Sequence, residues 1–281
     1  MKFDKNTFTI AGAEFNTRKS LIWIAVAFAC MAIIIVLLMT GVLQNVYGAM
    51  IGVAFILALV FSVKYCRYRD LKDDLPYDLI FFIFPLSLLG ARLYYCIFDG
   101  GFDIFFDFAK GGLAVYGGII GGVIGLIICC IIKKVNPIKA MDVVAPVLIL
   151  GQAIGRIGCY SAGCCYGSDV ASKAMQWFPI AYHVHGGWHY ATFFWECVLC
   201  LIGFFVLAWV LRRFKSTGIV ASGYLFYYGI VRYFTESYRD QSAQLFIGGQ
   251  PVSLWLSLIL VVLGTIGIVT IVIKERKKLK N

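Results

Sequence analysis

The sequence predicts an all-α polytopic membrane protein of about eight transmembrane helices, with both termini cytoplasmic and a small loop region on the outer face. Three observations lead there. The 281 residues are 61% hydrophobic and only 14% charged, where soluble domains run near half apolar and a quarter charged. Eight apolar runs approach the ~20 residues that cross a bilayer as a helix: roughly 21–43, 47–63, 79–98, 112–132, 142–158, 190–211, 218–234 and 252–273. Most of the 25 Lys and Arg fall in alternate loops, from Lys2 to Lys19, Lys64 to Lys72, Lys133 to Lys139, Arg212 to Lys215 and Lys274 to Lys280. Cytoplasmic loops carry such an excess, so every basic loop lies on one side and both ends lie inside. The net charge of +10 then reflects topology and attraction to anionic membrane lipid, and nucleic acid is not expected as a partner.

The first run starts about 20 residues into the chain, is long, and lacks an A-x-A cleavage pattern after it. It reads as a retained anchor rather than a signal peptide. Residues 1–45 are therefore expected to be an extra N-terminal transmembrane helix with a cytoplasmic tail, ahead of a membrane domain over 46–281. The fourth run, "GGLAVYGGIIGGVIGLIICC", places Gly117, Gly121 and Gly125 four apart, the stripe that lets helices pack closely. Gly117 and Gly118 also leave backbone accessible beside a ligand. Two longer outer segments follow, near 99–111 and 159–189, and the second holds His183, His185 and His189. Six cysteines, including Cys96 and Cys197, lie in apolar runs, where cysteine acts as a small hydrophobe. Cys159, Cys164 and Cys165 face the outer side.

Arg92, Arg156, Arg232 and Arg239 lie within or at the outer ends of apolar segments. An arginine at the centre of a spanning helix costs about 2.5–3.5 kcal/mol. In "YYGIVRYFTESYRDQ", Tyr228, Arg232, Glu236 and Arg239 fall at steps of 4, 4 and 3. At about 100° per residue they share one face roughly 80° wide. Glu236 has Arg232 and Arg239 within reach as ion pairs. Arg156 and Arg92 are left without obvious partners. Several arginines around a cavity short of carboxylates call for an outside anion, and the planar fork suits phosphate. In an outer leaflet that anion is a phospholipid head group.

These residues carry a family likeness. "GRIGCYSAGCCYG" resembles the signature of the prolipoprotein diacylglyceryl transferase family, Gly-Arg-x-Gly-Asn-Phe-x-Asn-x-Glu-x-x-Gly, with Gly155, Arg156, Gly158 and Gly167 at matching places and Tyr160 for the Phe. "VYG" at 46–48, "LGARLYYCIF", "GGLAVYGGIIGG", "ATFFWE" and the Tyr228/Arg232/Glu236/Arg239 spacing resemble further family segments in the same order. The resemblance covers roughly 46–275 and makes 46–281 a diacylglyceryl-transferase-like membrane domain. It implies a multi-pass enzyme of a bacterial cell membrane, with its active site toward the outer leaflet. The implied reaction moves the diacylglyceryl group of phosphatidylglycerol to the lipobox cysteine thiol of an exported prolipoprotein, whose signal peptide is the second partner. No cofactor is implied. Carried over residue by residue, the catalytic set is Arg156, Arg232, Tyr116, Glu236 and Arg239. Phosphatidylglycerol binding falls to Arg156, Arg232, Arg92, Tyr47, Gly117, Gly118 and Tyr228. The chain departs from the pattern at Cys159, Ala162 and Cys164, where the signature has Asn, Asn and Glu, and at Tyr116, where many members have His. A phospholipid-handling transferase with another acceptor, or a lipid-binding or transport protein on the same scaffold, is the alternative.

The outer cysteines leave three readings open. Cys159, Cys164 and Cys165 with His183, His185 and His189 offer thiolate and imidazole for a metal, although the spacing matches no standard ligand pattern. A disulfide such as Cys159–Cys164 suits an oxidising exterior. Plain packing is the third.

Overall fold

The computed structural model describes residues 3–4, 7–10, 13–16, 46–106, 112, 114–239, 246–247 and 250–278. The chain divides into two units, Met1–Ala49 and Met50–Asn281. In the first, β1 (Phe3–Asp4), β2 (Thr7–Ile10) and β3 (Ala13–Asn16) form an antiparallel meander with Phe3 opposite Phe8 and Phe8 opposite Phe15. The apolar run 21–43, and with it the first of the eight expected spans, lies outside the described residues.

The remaining seven runs are helices. They are α1 (Val46–Cys66), α2 (Leu75–Tyr95), α3 (Val115–Ile132), α4 (Pro137–Ser161), α5 (Thr192–Arg213), α6 (Ile219–Ser237) and α7 (Val252–Lys278). Among the described residues six helices are long and apolar enough to cross a membrane, and α6, which carries the polar stripe, is the exception. Local chemistry sets several boundaries. Pro137 opens α4 behind Asn136, whose side chain accepts a hydrogen bond from the Ile138 amide at 2.9 Å, the N-cap arrangement that satisfies an otherwise orphaned donor. Pro76 plays the same opening role in α2.

The central helix is α4, which buries Val143, Ile149, Leu150, Ala153 and Ile154 among others and packs against α5 and α6. Outward faces are apolar instead: Phe81, Ile131 and Phe205 are about two-thirds or more exposed. Large aliphatic and aromatic side chains on an outer surface mark the lipid-facing side of a bundle whose helices are held by packing rather than by exclusion from water. The pair α2/α3 shows how. Gly90 meets Gly117, Leu86 meets Gly121 and Phe82 meets Gly125, so the two helices run antiparallel with backbones in contact. A Cβ at Gly117 would strike the Gly90 carbonyl, and one at Gly121 the Leu86 carbonyl. The stripe with a period of four is a packing seam.

A buried ion pair that the sequence reading missed pins the other end of the bundle. Arg69 and Asp142 are both almost fully buried and meet at 2.9 Å. Asp142 also accepts hydrogen bonds from the backbone amides of Gly218, Val220 and Ala221, which fastens the start of α6 to α4. Arg69 donates onward to the carbonyls of Leu211 and Phe214 at the end of α5. Breaking one partner of such a pair costs about 3–5 kcal/mol because the other charge is left buried alone.

The loop between α4 and α5 is more ordered than its composition suggests. It contains the hairpin β4 (Ala181–Val184) and β5 (Gly187–Tyr190), turned by His185 (φ 50°) and Gly186 (φ 83°). Two consecutive left-handed residues are what a tight primed turn requires. The short strands β6 (Phe246–Ile247) and β7 (Gln250–Pro251) pair ahead of α7. The all-α expectation holds for the spans and misses these hairpins.

Candidate active site

Three helices meet at the C-terminal end of α4. The last turns of α4 bring Arg156, the first turns of α5 bring Thr192 and Glu196, and the C-terminal half of α6 brings Tyr228, Arg232, Thr235 and Glu236, with Arg239 just beyond. These side chains form one linked row. Arg156 Nη2 is 2.8 Å from Glu196 Oε1, and Arg232 Nη1 is 3.3 Å from Glu196 Oε2. Arg232 Nη2 is 2.6 Å from Glu236 Oε2, and Arg239 Nη1 is 3.5 Å from the same oxygen. Tyr228 donates its hydroxyl to Glu196 Oε1 at 3.5 Å. Arginine and glutamate thus alternate, and three guanidiniums against two carboxylates leave one net positive charge.

Depth sorts the two signs. The glutamate side chains are 3–4% exposed and those of the arginines 18–24%. The carboxylates lie deeper and hold the guanidiniums, and all five charged side chains line a small pocket together with Thr192, Thr235 and Cys165. An arginine fixed by a charged partner loses little further freedom when it grips an anion.

Arg156 is therefore not without a partner, as the sequence alone suggested. Its carboxylate comes from α5, forty residues on. Glu196 is the site residue the sequence reading left out. The signal for it was present, since it stands in the middle of an apolar segment where an acid is costly.

The loop after α4 closes over this row. Gly167 pairs with Arg239 in a β-bridge, and the Ser168 amide donates to the Tyr238 carbonyl at 2.9 Å. A Cβ at Gly167 would lie 2.5 Å from that carbonyl and 2.7 Å from the Tyr190 Cβ, so only glycine fits there. The same loop brings three thiols together. The Sγ atoms of Cys159, Cys164 and Cys165 lie within 4.8 Å of one another, and all three are free thiols in this structure, so the disulfide reading is not the one it shows. Arg156 Nη1 is 3.9 Å from Cys159 Sγ, and Arg239 Nη2 is 3.9 Å from Cys165 Sγ. A hydrogen bond from Cys159, aided by the Arg156 and Arg239 charges, holds the Cys165 thiol well below the ordinary thiol range. Burial pushes Cys164 up instead.

The histidines expected near these cysteines stand in other company. His185 Nε2 is 2.9 Å from the Gly163 carbonyl, His189 Nδ1 is 3.0 Å from Asp169 Oδ1, and His183 packs on Trp188. Among the described residues, the group gathered closely enough to hold a metal is the three cysteines without the histidines.

Several expected ligand-binding residues lie away from the row. Arg92 is 1% exposed and donates to the carbonyls of Phe105 and Gly112, at 3.0 and 2.9 Å, so it fastens the segment between α2 and α3. Gly117 is buried against Gly90 and Tyr94, and Gly118 faces Ser87 and Ala91. Tyr116 stands half-exposed on the first turn of α3 with its ring 6.4 Å from that of Tyr94, and it is not among the residues lining the pocket. Tyr47 falls in the first turn of α1, and its side chain is outside the described residues.

A second, apolar cavity of about 410 Å³ lies between α1, α2 and α4, with Phe55, Ile83, Phe84 and Leu148 among its walls. On α4 its lining runs through Gly151 and Gln152 to Gly155, the residue before Arg156.

Residues 26–270 match the family described as prolipoprotein diacylglyceryl transferase. Curated relatives agree. The protein named phosphatidylglycerol–prolipoprotein diacylglyceryl transferase from Streptococcus uberis is 35% identical over 243 residues, covering 83% of this chain and 91% of its own. Its namesake from Clostridium botulinum is 32% identical over 241 residues, covering 82% of this chain and 94% of its own. A third, designated transferase 1, from Clostridium perfringens, is 31% identical over 247 residues, 84% of this chain and 93% of its own.

Proposed function

The chain belongs to the prolipoprotein diacylglyceryl transferase family, and on that premise we propose that it transfers the diacylglyceryl group of phosphatidylglycerol to the lipobox cysteine thiol of exported prolipoproteins. The observation that carries this reading is the convergence of Arg156 and Arg232 on one buried carboxylate, Glu196, at 2.8 and 3.3 Å. Transfer breaks the bond between the glycerol carbon and a phosphate oxygen, and negative charge grows on the departing glycerol phosphate. Two guanidiniums held from behind stabilise that charge without reorganising. Arg239, tied to Glu236 and bridged to Gly167, closes the outer side and keeps Arg232 in line. Tyr228 steadies Glu196.

Phosphatidylglycerol brings two acyl chains with its phosphate. The apolar cavity between α1, α2 and α4 suits them, because its α4 wall ends one residue before Arg156. A lipid with its chains there presents its phosphate at the arginine row. In this assignment Arg92, Gly117 and Gly118 shape the α2/α3 wall rather than touch phosphate. Residues 21–43 form an eighth span, both termini are cytoplasmic, and the arginine row faces the outer leaflet of a bacterial cell membrane, where exported prolipoproteins and phosphatidylglycerol meet.

Complementation separates this function from its neighbours. In a bacterium depleted of its own diacylglyceryl transferase, expression of this chain restores growth, and a reporter prolipoprotein gains a diacylglyceryl group. A chain that inserts and releases glycerol phosphate from phosphatidylglycerol, yet leaves the reporter unmodified, has a different acceptor. One that binds the lipid and releases nothing is no transferase.

A further inference from the structure

The proposed reaction needs a thiolate from a thiol whose ordinary pKa is about 8.5. Among the described residues the pocket supplies no uncommitted base. Both of its carboxylates are committed to arginines, and Tyr116 is not in its lining. What it does have is sulfur. Cys165 lines the pocket, and the Sγ atoms of Cys159 and Cys164 stand with it inside 4.8 Å.

That cluster has the dimensions of a metal site. Three sulfurs ~2.3 Å from a common zinc ion lie roughly 3.8–4.0 Å from one another, so a small contraction brings these thiols onto an ion. The backbone is built to gather them. Cys159 comes from the last turns of α4, the Cys164 amide bonds back to the Cys159 carbonyl at 3.1 Å, and Gly163 and Cys165 both take left-handed backbone at φ 60°. Left-handed backbone is costly for a residue with a side chain, and such strain collects at functional sites. Charge fits as well. Three thiolates and a divalent ion carry one net negative charge, and Arg156 and Arg239 flank the sulfurs at 3.9 Å.

We propose that Cys159, Cys164 and Cys165 bind a zinc ion through three thiolates, and that its fourth position, opening on the arginine pocket, takes the acceptor's thiol as a thiolate. This inference rests on the transfer to a thiol proposed above. Catalytic zinc sites keep three protein ligands and an open fourth place, and a thiol that coordinates such an ion is deprotonated outright. The thiol proton passes to water. The zinc-held sulfur then forms its bond to the glycerol carbon as the bond from that carbon to the phosphate oxygen breaks. The electron pair leaves on the glycerol phosphate oxygen held by Arg156 and Arg232. Zinc keeps its oxidation state, and the thioether product, a poor ligand, departs.

The full-length protein purified from zinc-containing medium tests this by elemental analysis and then by cobalt substitution. About one zinc per chain is expected, falling below a tenth of that in Cys159→Ser, Cys164→Ser and Cys165→Ser variants that retain their helical circular dichroism. In cobalt-loaded wild type, a lipobox-type peptide with cysteine shifts the thiolate-to-cobalt absorption, and the same peptide with serine does not. Active wild-type protein without stoichiometric metal overturns the proposal, as does active protein in which mass spectrometry finds two of these cysteines joined. A bound metal whose cobalt spectrum ignores the cysteine peptide overturns it too, because the site is then structural. Metal content and the spectral shift are read without turnover. If both appear and no diacylglyceryl group is transferred, the zinc–thiol site stands and the lipid reaction fails.

Discussion

Arg156→Ala and Arg232→Ala each lower transfer by about a hundredfold to a thousandfold or more while the protein still inserts. Removing one preorganised donor from a site where charge develops has an effect of that size. The protein tolerates the loss because the row is redundant for structure. Without Arg156, Glu196 keeps Arg232; without Arg232, Glu196 keeps Arg156 and Glu236 keeps Arg239. No carboxylate is stranded in the bundle, so the defect falls on chemistry rather than folding. Lysine at either place recovers little, since an ammonium cannot hold one carboxylate and grip phosphate in a plane. Steady-state transfer by the four variants, alongside their yield in membranes, checks both statements. Near-normal turnover by either alanine variant removes the arginine row from the mechanism.

Glu196→Gln has the second largest effect, and it divides in an informative way. Glutamine keeps the shape but offers one acceptor oxygen where Glu196 uses two, and its amide turns N–H donors toward a guanidinium. Arg156 or Arg232 then loses its alignment. Small displacements at a reacting centre cost up to about a hundredfold, so kcat is expected to fall about tenfold to a hundredfold with KM little changed. Were Glu196 only a neutralising charge, removing it would tighten lipid binding and leave kcat alone. Measuring kcat and KM separately for phosphatidylglycerol decides between them.

Much of this site was legible from the chain alone. Tyr228, Arg232, Glu236 and Arg239 share a face because helical geometry fixes it, and the structure pairs Arg232 with Glu236 at 2.6 Å. Arg156 stood out because a guanidinium in an apolar helix needs a reason. Its partner was harder to find. Glu196 lies forty residues away on another helix, and nothing in local periodicity says which faces of α4 and α5 meet. Arg92 poses the same difficulty: a buried arginine looks alike in sequence whether it awaits phosphate or holds carbonyls, and this one donates to those of Phe105 and Gly112. Gly117 and Gly118 show a different ambiguity. A four-residue glycine period serves close packing and ligand access equally, and the contacts of Gly117 with Gly90 and of Gly118 with Ser87 and Ala91 show the packing. The cysteines were visible as a group, but whether they would converge depended on left-handed backbone at Gly163 and Cys165, which composition does not specify. The buried Arg69–Asp142 pair escaped notice because both residues sit at segment ends, where charges are ordinary.

The central claim is that the arginine row receives the phosphate of phosphatidylglycerol while its diacylglyceryl group passes to a peptide thiol. Mass spectrometry on the purified protein, given phosphatidylglycerol and a lipobox peptide, tests it most directly. The account predicts a cysteine peptide heavier by one diacylglyceryl group, with an equal amount of glycerol phosphate released and no gain on the serine peptide. An unmodified cysteine peptide beside intact phosphatidylglycerol, from protein that is folded and metal-loaded, would contradict it.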